Sequence, residues 1–175
     1  MVHSSPLPTP GPRGRVRRWP DAIHDRMRKG PPKRVAIDHD DYHAEYVGTT
    51  RRGHQFFLTT PFVPAYAGAE GREFIALYVF DAKGALLDAT IDDLGPRAKL
   101  DADARVRRRD ELLGSLGPVK FRRITIAPFS LERHGVTFGL IPRAPDEDGQ
   151  DWCAIFMPGD VMCFWPPWTS GVYDT

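Results

Sequence analysis

The sequence predicts a β-rich α+β fold: a strongly curved antiparallel sheet of about eight strands in consecutive hairpins, half-barrel-like, with one main helix at about 101–116 inserted after the fourth strand. Three observations predict it. Apolar residues alternate with period two over most of residues 35–165, the period of a strand. Gly-containing connections interrupt that alternation at hairpin spacing. A single stretch, 101–116, switches to helical spacing. One helix cannot cover a flat eight-stranded sheet, so the sheet must curl, split into two layers or pair with another subunit. The last option leaves room for a homodimer.

The elements follow in order. AEYVGTT and QFFLTTPF flank RRGH, a first hairpin. EFIALYVFD and ALLDATID flank AKG, a second hairpin, with Gly84 at the position that needs positive φ. Residues 74–80 are apolar at every position, so this strand is covered on both faces and central. Its partner alternates, with Leu87, Ala89 and Ile91 on one face and Asp88, Thr90 and Asp92 on the other. Asp101 or Asp103 can cap the helix. Ala102, Val106, Leu112, Leu113 and Leu116 form its apolar side; Arg105, Arg107 and Arg108 face away, with Asp103 and Arg107 as an i,i+4 pair. Pro118 stops it. In VKFRRITIAPF, Val119 and Phe121 share one parity and Ile124 and Ile126 the other, which requires a bulge near Arg122–Arg123. GVTFGLIPR, WCAIFM and VMCFW complete the strands, and Phe164 and Trp165 both read as core. Pro166-Pro167 then ends the last strand. Trp168 and Tyr173 follow on a flap turning at Ser170-Gly171.

Charge divides the chain. Residues 1–34 carry nine Lys/Arg against two Asp/Glu and seven of the 17 prolines, so they read as a basic Pro/Arg-rich disordered arm, with a short helix at 21–29. Residues 35–175 read as one globular β-rich domain of net charge −6. The basic arm 1–34 points weakly to nucleic acid, whereas the basic run RVRRR at 105–109 reads as a solvated helix face balanced by Asp101, Asp103, Asp110 and Glu111. The 19 arginines against five lysines fit a GC-rich coding sequence, which weakens a phosphate-binding argument from arginine count. No apolar run reaches the ~18 residues a membrane span needs, and no signal-peptide core follows the N-terminus, so no membrane association and a cytoplasmic location are expected. Cys153 and Cys163 read as reduced, packed thiols.

No string specifies a catalytic centre, a cofactor or a metal. DHDDYH at 38–43 is rich in donors, but His39 and His43 on a strand would lie about 13 Å apart. It reads as a polar lead-in, with no metal. No cofactor is expected. The preferred function is a non-catalytic binding protein, of adaptor, regulator or toxin-neutralising type, whose acidic domain recognises a protein partner. Its candidate contacts are Trp168 and Tyr173 on the flap, Phe62 and Tyr66 in the long connection 59–73, and His54 in the first turn. A small-molecule ligand is a further expectation. The alternative is a small hydrolase or isomerase with a pocket inside the sheet, using His54, His134 and Asp92, Asp93 or Asp160.

Overall fold

The computed structural model describes residues 30–146, 150–159 and 161–175. The expected helix at 21–29 and most of the basic arm lie outside the described residues. The class is as expected, β-rich α+β with antiparallel pairing throughout. The required curvature is taken up by division into three sheets, none closed into a barrel.

The largest sheet is built around the apolar run. Strand β5 (Arg72–Phe80) pairs with β3 (Gln55–Thr59) and β4 (Phe62–Val63) on one side and with β6 (Leu86–Pro96) on the other. Beyond β3 lie β2 (Tyr46–Thr50) and β7 (Val119–Phe121). The pleat sends alternate residues of β5 to two interiors. Phe74, Ala76, Tyr78 and Phe80 face the main core. Ile75 and Leu77 face Leu112 of helix α1 (Ala102–Ser115), with Leu113 and Leu116 beside it. The Asp101 side chain caps α1 by accepting from Ala104 N–H at 2.9 Å. Two helix readings need correction. Val106 is exposed, and Arg107 pairs with Asp101 at 3.9 Å rather than with Asp103. Arg105 and Arg108 do not simply face solvent, because the β5–β6 surface under the helix carries Glu73 and Asp92 to meet them.

The opposite wall of the main core is a four-stranded sheet, β9 (Phe129–Arg133), β10 (Val136–Arg143), β11 (Cys153–Met157) and β12 (Cys163–Phe164), in consecutive order. A two-stranded sheet, β1 (Val35–Ile37) with β8 (Ile124–Ile126), closes the side. Aromatic edges interlock across the interior: Phe156 meets Phe57 at 4.9 Å and Tyr78 meets Phe129 at 5.0 Å between ring centroids. The Tyr78 hydroxyl is buried with no hydrogen-bond partner among the described residues, and burial raises its pKa.

The parity break at Arg122–Arg123 is a change of sheet. β7 pairs with β2, the chain steps across, and β8 pairs with β1. Gln55 bridges the step: its Nε2 donates to the carbonyls of Asp81 and Thr125, and its Oε1 accepts from Thr125 N–H. The second hairpin tip docks here, with Gly84 at φ +88; a Cβ there would lie 2.4 Å from the Thr125 carbonyl oxygen. Ahead of that turn, a bulge alters the alternation of β6. Phe80 opposes Leu86 and Val79 opposes Asp88, so Leu87 is squeezed out and exposed while Leu86 packs on the core.

Candidate functional site

The connection 59–73 is a structured rim. After β4, Tyr66 to Ala69 form a tight turn, with Ala69 N–H donating to the Tyr66 carbonyl at 2.9 Å. Ala67 (φ 49) and Gly68 (φ 85) are both left-handed, the backbone of a type I′ hairpin turn. The single-turn 3-10 helix Arg97–Lys99 packs beside it, its Arg97 N–H donating to the Gly71 carbonyl. Between them lies an open groove of about 790 Å³, walled by Phe62, Pro64, Tyr66, Ala69, Pro96 and Arg97. Tyr66 is 83% exposed. Exposed aromatic area on a pinned turn suits recognition, because little conformational entropy is lost on contact.

A second, smaller cleft of about 240 Å³ adjoins the groove and shares Phe62 and Arg97 with it. It lies between α1 and the rim of the large sheet. Glu73 stands at its back with its side chain only 6% exposed. Glu73 Oε1 accepts from Arg105 Nη1 at 2.9 Å, and Arg97 Nε lies 3.5 Å from Oε2. The Arg97 guanidinium also stacks over the Phe62 ring, 4.9 Å from its centroid. Sequence reasoning missed this trio. The available signal was Glu73 itself, a carboxylate heading a strand that is otherwise apolar, which needs a cation when buried.

The other candidates are placed as follows. Trp168 and Tyr173 lie together on a C-terminal strap that packs against the main core. The strap runs along β1, where Ala36 N–H donates to the Trp168 carbonyl and Asp38 N–H to the Gly171 carbonyl. It then pairs Asp174 with Cys163 of β12. It therefore joins the two-stranded sheet to the four-stranded one. Phe164 is buried, whereas Trp165 is 42% exposed, because β12 is only two residues long and its outer face is uncovered there. His54 lines a shallow concavity with Thr50, Arg51, Val79 and Leu116, away from Phe62 and Tyr66. His134, at φ 54, places Nε2 3.0 Å from the Ile91 carbonyl and its ring against Phe74. Among the described residues, His134 does not line the concavity that holds His54. Asp92 pairs with Arg108 at 2.6 Å and Asp93 with Arg72. Asp160 lies outside the described residues.

The DHDDYH donors hold the strap. Arg123 forks onto both oxygens of Asp38 and donates to the carbonyls of Thr169 and Ser170. Asp40 accepts from Tyr42 N–H, Ala44 N–H and the Tyr173 hydroxyl. Among the described residues no three His, Cys, Asp or Glu side chains gather as a metal site. The hydrogen bond from Arg123, aided by its charge, holds Asp38 below the usual carboxylate range. Burial pushes Asp40 up, but the Tyr173 hydroxyl and the two backbone N–H groups outweigh it and the net shift is down. Burial, then the Asp40 hydrogen bond, pushes Tyr173 up to about 12. Both carboxylates are stabilising while ionised, so that contribution is full above their ordinary 3.8 and is lost as pH falls further. Tyr173 is stabilising while neutral, so its contribution is full below its ordinary 10.0 and is lost as pH rises through about 12. Thermal unfolding across pH should show both limbs, and Tyr173→Phe should weaken the alkaline one, leaving the part that buried Tyr78 supplies.

Cys153 and Cys163 are free and lie diagonally across β11 and β12, where Cys163 pairs with Ile155. Burial, with Cys153 adding to it, pushes Cys163 up to about 12, which keeps it an unreactive thiol at neutral pH. No helix among the described residues is long and apolar enough to cross a membrane. Comparison with known proteins returns no match to any family model, curated protein or solved structure.

Proposed function

We propose that the chain is a non-catalytic recognition module whose acidic globular domain binds a protein partner, seating an extended apolar segment of that partner in the groove at Phe62 and Tyr66. The observation that carries this reading is the groove itself: about 790 Å³, open, walled mainly by apolar side chains, with Tyr66 displayed on a pinned turn. The net charge of −6 over residues 35–175 selects a basic partner and speeds encounter with it. Trp168 and Tyr173 serve the partner indirectly by holding the sheets together.

Tyr66→Asp tests the reading, since the exposed side chain supports no core. Affinity capture from the native host should recover one stoichiometric basic protein with the parent chain and lose it with Tyr66→Asp, while the thermal midpoint stays within about 1 °C. Equal recovery by both chains would place the contact elsewhere.

A further inference from the structure

We propose that the smaller cleft between α1 and the sheet rim binds a small organic oxyanion, a carboxylate or a phosphate ester, on the paired guanidinium groups of Arg97 and Arg105. The site is built from behind. One buried carboxylate, Glu73, holds both arginines, each by a single nitrogen: Arg105 through Nη1 at 2.9 Å and Arg97 through Nε at 3.5 Å. The two terminal nitrogens of Arg97 and the second terminal nitrogen of Arg105 have no protein acceptor among the described residues. Arg97 is held a second time, by stacking on Phe62, although its side chain is 67% exposed. A guanidinium stacked on its face, with Nε turned toward a carboxylate at ion-pair distance, presents its terminal fork already oriented, the arrangement that suits bidentate capture of an oxyanion.

Charge supports the same ligand class. Within the trio two guanidinium groups face one carboxylate, a local excess of one positive charge that only Glu45, on another part of the cleft wall, offsets. Arg109 also borders the cleft, but Asp110 neutralises it at 2.7 Å and it lies over the Tyr46 ring. Glu45 is a lining residue too, so ligands of high negative charge are disfavoured. The cleft walls add a shape requirement. Leu58, Ile75, Phe62 and Val161 line it together with the arginines, and its volume of about 240 Å³ exceeds a bare inorganic ion. The ligand therefore carries an apolar body of about one ring or a short branched chain. The cleft shares only Phe62 and Arg97 with the partner groove, and a Tyr66 variant leaves it intact.

Titration calorimetry and thermal shift on the full chain test this with benzoate, isobutyrate and phenyl phosphate. Inorganic phosphate and chloride at matched ionic strength serve as controls. One of the organic anions should bind saturably with a Kd below about 10 mM and raise the midpoint. The carboxylate and phosphate arms separate the two headgroups. Arg97→Ala should weaken binding about tenfold or more while lowering the midpoint of the free chain by only about 2 °C, as for an exposed ion pair, and Arg97→Lys should restore only part of the binding, because an ammonium lacks the fork. Three results would each overturn the proposal: no saturable binding by any of the three, unchanged affinity in Arg97→Ala, or affinity no better than that of inorganic phosphate.

Discussion

Replacing Arg105 with alanine is expected to destabilise the chain by about 3 kcal/mol, the cost of leaving a buried carboxylate without its partner. Glu73 is almost wholly enclosed and, among the described residues, accepts one hydrogen bond, from Arg105. Once that bond is gone, Arg97 at 3.5 Å is the remaining cation, and it is itself largely in solvent. Arg105 is 38% exposed, so water can enter the space it leaves, which places the cost at the lower end of the range for a broken buried pair. Urea unfolding should show a lower midpoint at an unchanged slope. Replacing both groups, Glu73→Leu with Arg105→Leu, should recover most of the loss, because no charge is then left stranded. A loss below about 0.5 kcal/mol for the single variant would mean that Glu73 is far better hydrated than its burial implies.

Gly171→Ala is expected to cost about 3 kcal/mol, summed from two causes, a left-handed backbone and a blocked contact. Gly171 has φ +81, and a Cβ built on it would lie 2.5 Å from Asp38 Cγ. The strap would have to lift or Asp38 would have to leave Arg123. Either movement weakens the grip of Arg123 on Thr169 and Ser170. Gly53→Ala is the control: it has nearly the same φ, +82, but nothing within 4 Å of the added carbon. It should show the backbone cost alone, about 1 kcal/mol. The thermal midpoints of the two variants therefore isolate the steric part. In Gly171→Ala the acid limb should also flatten, since Asp38 no longer loses a partner when protonated. Equal losses in the two variants would show that the strap yields freely.

The reading of particular residues shows how far local pattern reaches. The run at 74–80 named a doubly covered strand, and β5 is flanked on both sides and buried on both faces. Gly84 named a positive φ, and of the two cap candidates, Asp101 and Asp103, Asp101 is the one that caps. The aromatic rim at 59–73 named a place to look, and an open groove of about 790 Å³ is there. Leu87 and Trp165 mark the limit. Alternation puts Leu87 inside, but one bulge against β5 turns it out. Trp165 follows an apolar strand, but no element covers that side.

The main hairpin strands and the one helix, the doubly buried run at 74–80, and the main turns were determined by the sequence itself, because those follow from periods of two and 3.6 residues and from Gly and Pro stereochemistry. The partition into three sheets, the strap that stitches β1 to β12, and the meeting of Glu73 with Arg97 and Arg105 were decided only by the tertiary structure. Each depends on contacts between residues far apart in the chain, such as Val35 with Ile126 or Asp38 with Arg123. Local pattern says that a buried carboxylate needs a cation. With 19 arginines to choose from, only the packing of α1 on the sheet selects which.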